Sequence, residues 1–262
     1  YRSMSGFLRD ELHMRAPMSD ANNISLMIQG DVRRALDYVD NHSYWDHPVF
    51  GPAPWSHQQR SVVEALAWNP RELMATRVFG KPFLATEVGY CYPNVYRGEG
   101  WATAGVYAAL QDWDGWFLFR SVTFAEQLTN ERPQKDWFDF FSDPIGNLSG
   151  RLAGILFLRG DVAAASLKSA YTWGSEAYTD LTAMKPMGAE WNFPESFTRL
   201  GLHHQVGSLP RESVGTAAAK GISCYGRRDV PKPELIPWPT NLGVVQLPSG
   251  PLDLSAERFI TS

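Results

Sequence analysis

Three short apolar runs, each closing on polar or aromatic residues, constrain this chain more than any other feature of its sequence. One passes through Leu36, Tyr38 and Val39 into Asp40, His42 and Tyr44. The next, "KPFLATEVGYCYPN", delivers Glu87, and the third is "GWFLF" at 115–119. Between them, "SHQQRSVVEALAW" suits a helix opened by Ser56 and stopped near Pro70. "GEGWATAGVYAALQDW" sets Trp101, Val106, Leu110 and Trp113 at helical spacing. Tyr44 and Glu87 are 43 positions apart and Glu87 and Trp116 are 29 apart. Each interval has room for one crossover helix, since a βαβ unit takes about 30 residues or more. Strands alternating with helices in this way predict a parallel α/β sheet. Chemistry gathered at strand C-termini is where α/β barrels keep their active sites.

The flanking stretches extend the pattern. "YRSMSGFLRDELHMR" places Phe7, Leu8, Leu12 and Met14 near one helical face, and "APMSDANN" reads as a short strand running into a polar loop. The expectation is thus four adjacent parallel strands, ending near Ser19, His42, Glu87 and Trp116. Leu152, Ile155 and Leu156 predict a further helix. From about residue 185 the sequence turns loop-rich, with six prolines between 231 and 251. We therefore divide the chain into residues 1–160, carrying the strand–helix units, and 161–262, an extension leading into a β-rich accessory region. The opening Tyr-Arg-Ser-Met and the alternating close "ERFITS" read as the cut ends of a longer protein.

Composition narrows the function classes. With 44% hydrophobic and 20% charged residues the chain is globular. A net charge of -4 gives no basic face for nucleic acid. No apolar run approaches the roughly 18 residues of a membrane span. Cys91 and Cys224 are too few for a disulfide framework, and the sequence leaves open whether they form one bridge or two free thiols. Ten Trp, ten Tyr and fourteen Phe are a large store of flat apolar rings. Core packing is their usual use, but the C–H faces of sugars also stack on such rings.

In their order and spacing, "DNHSYW", "ATEVGY" and "DGWFLF" resemble the last three strands of a clan A (β/α)8 glycoside hydrolase of the cellulase and mannanase kind. The resemblance covers roughly residues 15–120. It implies the C-terminal half of a TIM barrel, followed by a loop-rich, partly β accessory segment. It further implies Glu87 as nucleophile, His42 and Tyr44 as its supports, and Trp116 as the aromatic floor under the reacting sugar. Trp45, Trp55 and Trp113 are further candidates for lining subsites. The partners implied are an oligo- or polysaccharide and the missing N-terminal half of the barrel, in a secreted or periplasmic protein.

The chemistry fits those residue types. A retaining glycosidase needs one ionised carboxylate to attack the anomeric carbon and one protonated carboxyl to release the leaving oxygen. Donors beside the first keep it charged. The resemblance breaks at the second carboxyl. That clan places it in an Asn-Glu pair on strand four, and the chain's one such pair, Asn130-Glu131, falls after the last strand of the match.

Rival readings are weaker. Asp40, His42, Asp46 and His47 form a cluster of metal-ligand types, yet so many packed at one strand end cannot all point to one centre. No Gly-x-Ser-x-Gly elbow is present, and the glycines of "RGEG" are a turn signal and no phosphate loop. No cofactor is expected. His203 and His204 read as surface or packing residues. The alternative to an enzyme is a non-catalytic carbohydrate-binding or scaffolding segment of a larger protein.

Overall fold

The computed structural model describes residues 1–20, 22, 29–51, 56–122, 125, 129, 136–174 and 193–226. Helix α1 (Arg2–Gly6) continues into a π-helical turn (Phe7–Glu11), and α2 (Gln29–Ala35) follows. Then come β1 (Val39–Trp45), α3 (Trp68–Met74), β2 (Phe83–Tyr90), α4 (Arg97–Leu110), β3 (Gly115–Leu118) and α5 (Pro144–Leu158). A second group holds β4 (Lys168–Trp173), α6 (Glu195–Leu200), β5 (Gln205–Pro210), α7 (Val214–Ala219) and β6 (Ile222–Tyr225). Among the described residues no helix is long and apolar enough to cross a membrane.

Strands β1, β2 and β3 are parallel neighbours in chain order. That order is what successive βα units produce when they wind one way, as they do around a barrel. Among the described residues this sheet has three strands where the sequence predicts four. Among the described residues, Met18, Ser19, Asp20 and Asn22 are near β1 without pairing as a strand. Their described backbone–backbone contacts are Asp37 N–H to the Met18 carbonyl (3.0 Å) and His42 N–H to the Asn22 carbonyl (2.9 Å).

Alternation along β1 decides what faces where. Val39, Asn41, Ser43 and Trp45 are buried; Asn41 bonds Thr76, Ser43 bonds Glu72 and the Trp45 ring packs on Trp68. Asp40, His42 and Tyr44 take the other face. In β2 the register slips between Asn41↔Ala85 and His42↔Glu87, so Thr86 is an extra residue. Such a bulge lets two consecutive side chains share a side: Thr86 bonds Asp40 and Glu87 bonds Tyr44.

Helices cover the first of these faces. Gly105 of α4 lies so close to α5 that a Cβ there would sit 2.8 Å from the Ala153 backbone. Asp143 caps α5 by accepting the Gly146 N–H (3.2 Å), with Pro144 at the first position, and pairs with Arg97 at the start of α4. The helix expected from Ser56 is displaced. Residues 58–66 follow side-chain acceptors instead: Gln58 and Gln59 N–H groups bond Asp46, and the Ser61 hydroxyl bonds Glu99. α3 then begins at Trp68, with Pro70 in its first turn, where a missing N–H costs nothing.

The second sheet has the order β5-β4-β6, all parallel. One core cluster runs from Val39 through Trp101 to Phe197 and Val206, so the two sheets share an interior. Gln111, fully buried after α4, is the polar joint. Its amide N–H₂ donates to the Gly201 and His204 carbonyls (2.8 and 2.6 Å), and its oxygen accepts the Val206 N–H (2.8 Å). Ser208 of β5 bridges to Val78, just before β2.

Candidate active site

Glu87 and its neighbours assemble on the face opposite the covering helices, toward the C-terminal ends of the first sheet. The Tyr44 hydroxyl donates to Glu87 Oε2, and His42 Nδ1 lies 3.4 Å from the same oxygen. Burial raises the Tyr44 hydroxyl far above its usual range, and the hydrogen bond and charge of Glu87 add to the effect, so the phenol stays protonated and a donor. Among the described residues Glu87 Oε1 accepts no hydrogen bond. The Glu87 side chain keeps 32% of its surface exposed, against 15% for His42. The carboxylate is thus anchored through one oxygen and open at the other.

Gly89 makes this possible. A Cβ there would lie 2.4 Å from the Tyr44 ring, so only glycine lets the ring lie across β2 toward Glu87. Three other rings brace Tyr44 edge-on: Phe138 at 5.2 Å, His47 at 5.6 Å and Phe119 at 5.8 Å. Phe50 packs on His47 in turn, at 5.1 Å. Arg120 fixes the Phe138 segment, donating to Asp139 (3.0 Å) and Asp136 (2.6 Å) while its own N–H bonds the Phe138 carbonyl.

Three of the four tryptophans expected at the substrate are elsewhere. Trp45 is 2% exposed and donates its indole N–H to the Arg60 carbonyl. Trp113 is buried against Phe83. Trp116 packs on Trp101 of α4 and Phe157 of α5, beneath the sheet and away from Glu87. All three are core residues, which corrects their reading as sugar platforms. The reason is parity: Trp45 lies one residue from Tyr44 on β1, and Trp116 shares its side of β3 with Leu118. Trp55 and Asn130-Glu131 lie outside the described residues.

Phe119, Phe138 and Phe50 are the aromatics the sequence reading missed. Phe119 had a signal, since it is three positions from Trp116 and so on the opposite face of the strand. Phe138 and Phe50 arrive on loops and had none.

The cluster of metal-ligand types is dispersed into separate structural tasks. Asp40 bonds Ser19, Asn22 and Thr86; Asp46 accepts from the Gln58 and Gln59 backbone and from Asn94. His47 Nδ1 faces the Pro48 carbonyl at 2.9 Å. No group of three or more His, Cys, Asp or Glu among the described residues is arranged to hold a metal ion. Cys91 and Cys224 are both free. His204 Nδ1 meets the Ser169 hydroxyl at 2.8 Å on the second sheet.

No family model and no curated protein matches the chain. Among solved structures it is similar to GH5_18 from Streptomyces cattleya, crystallised in complex with GlcNAc. The TM-score is 0.47 and the identity 16%, over 77% of this chain and 51% of that one. The chain thus spans about half the length of that protein. So slight a likeness carries no argument about the site, and the α/β assignment stands on the strand order and helix alternation described above.

Proposed function

We propose that this chain carries the nucleophile of a retaining glycoside hydrolase acting on β-linked glycans or glycosides. The observation that supports it is the asymmetric hold on Glu87: Tyr44 and His42 both approach Oε2, and among the described residues Oε1 accepts no hydrogen bond. In the reaction Oε1 attacks the anomeric carbon, the leaving oxygen takes the electron pair of the glycosidic bond, and a glycosyl ester forms. Water then cleaves the ester with net retention. Tyr44 and His42 stabilise the carboxylate, and the rings around Tyr44 shield it from water. The proton for the leaving oxygen must come from a second carboxyl about 5–5.5 Å from the first. We assign none of the described carboxylates to that role. The acid belongs to the other half of the barrel, which would also complete the substrate cleft.

The missing acid shapes the test. A 2,4-dinitrophenyl 2-deoxy-2-fluoroglycoside has a leaving group that departs without protonation, so it tests the nucleophile alone. Incubation with a panel of β-configured sugars should add one fluorosugar to the peptide containing Glu87, read by mass spectrometry. Glu87→Gln should abolish the label. In the protein joined to its acid-bearing half, Glu87→Gly should lose turnover and azide should restore part of it, giving a glycosyl azide of inverted configuration. A label on another carboxylate would sink the assignment. Absence of any label, with β-glycans still binding, would favour the non-catalytic carbohydrate-binding reading.

A further inference from the structure

The second sheet carries a cavity of its own, ≈ 400 Å³ in volume, between α7 and the segment that leads into β2. That is the size of a pocket for a small organic ligand. Three cations reach it from three separate parts of the chain: Arg77 before β2, Lys168 at the start of β4, and Lys220 after α7. Among the described residues no carboxylate lines it, and neither lysine forms an ion pair. The chain as a whole carries -4, so this convergence does not reflect a generally basic surface.

Arg77 is the anchor. One of its Nη atoms donates to the Gln111 carbonyl at 2.6 Å, and its guanidinium lies over the Phe79 ring at 5.2 Å. Its Nε is buried with no hydrogen-bond partner among the described residues. Burial lowers the Arg77 pKa, and the charges of Asp112 and Asp114, which do not line the cavity, oppose the shift. Ser213 and Thr216 add hydroxyls at the rim, and the floor is apolar, made by Leu209, Ala217 and Ile222.

We infer that this cavity binds a small organic anion, its phosphate or carboxylate group held between Arg77, Lys168 and Lys220 and its apolar body resting on the floor. Charge-assisted hydrogen bonds to guanidinium and ammonium groups are the strong kind, and an apolar floor beside them selects a body attached to the anion. The inference is independent of the glycosidase reading.

Calorimetric titration of the full chain with phenyl phosphate, benzoate and phenol tests it. At least one anion should bind with a single site, and phenol should bind at least about tenfold more weakly. Phenyl phosphate as the tighter ligand assigns a phosphate, and benzoate a carboxylate. Affinity should fall with added salt, as for any exposed charge contact. It should drop at least about tenfold in Lys168→Gln/Lys220→Gln, whose thermal unfolding should match the parent. Equal binding of phenol, unchanged binding in the double variant, or no binding of either anion at millimolar concentration would overturn the inference.

Discussion

The two sheets are built from the same parallel strands and used in opposite ways. Among the described residues the first has helices packed on one face only, and its burial alternates: Asn41, Ser43 and Trp45 are buried while His42 and Tyr44 between them are only partly so. In the second, every residue of β5 is buried, and so is all of β4 but its first residue. A face open to solvent can hold a carboxylate with one free oxygen, whereas strands as buried as β4 and β5 offer a ligand only their ends. The difference teaches that the first sheet is shaped to present side chains on an open face and the second to bury its strands, with Gln111 as the link between them.

Breaking that link should have the largest effect. Gln111→Leu keeps the volume but removes three buried hydrogen bonds, each costing about 1–3 kcal/mol when its partner is left unmet. We expect a loss of about 3–9 kcal/mol in chemical denaturation, with both sheets unfolding together. Retained stability would show that the sheets are independent. Next is Trp116→Ala, a cavity under the first sheet that should cost about 3–5 kcal/mol. Phe117→Ala, one position along and 57% exposed, should stay within about 0.5 kcal/mol. If Trp116→Ala instead spared stability and abolished fluorosugar labelling, Trp116 would be a platform after all.

Gly89→Ala should cost about 1–3 kcal/mol by overpacking against Tyr44. It should slow labelling of Glu87 as well, because the ring is pushed off the carboxylate; an unchanged rate would show that Tyr44 does not matter to the nucleophile. The smallest effect belongs to His204, whose pKa is lowered first by burial and then by His203. Its folded value lies below the unfolded 6.5, so the unfolded chain binds the extra proton first and stability declines as pH falls through 6.5 toward the folded value. His204→Asn should flatten that part of the pH–stability curve. A steeper curve in the variant would reverse the sign.

Much of the first sheet was legible because β1, β2 and β3 each pair an apolar run with a polar or aromatic end, and α4 repeats at helical spacing. Period-two alternation separates Trp45 from Tyr44 and Trp116 from Phe119, a signal that the reading of both tryptophans as sugar platforms passed over. The bulge at Thr86 was not legible, because it depends on which β1 residue each β2 residue meets. The second sheet was hidden for another reason. "KSAYTW" and "QVGSLP" are buried through small and hydroxyl-bearing residues, Ser169, Thr172 and Ser208, so neither alternation nor an apolar run marks them. The displaced helix before α3 followed from acceptors on Asp46 and Glu99, which only the folded chain brings close.

The shared interior also sets an order of events during synthesis. Arg71 finds Thr198 across 127 positions, and Ser208 finds the Arg77 carbonyl across 131. A ribosome adding roughly 5–20 residues per second needs on the order of ten seconds between making the two halves of such a contact. Through that interval the first sheet stands with part of its apolar underside uncovered, and the contacts that close it span 127 and 131 positions. Pairings of that separation are the slow ones in folding. The nascent protein is therefore most exposed to aggregation after β3 has emerged and before β5 arrives, which makes that window the one a chaperone would have to guard.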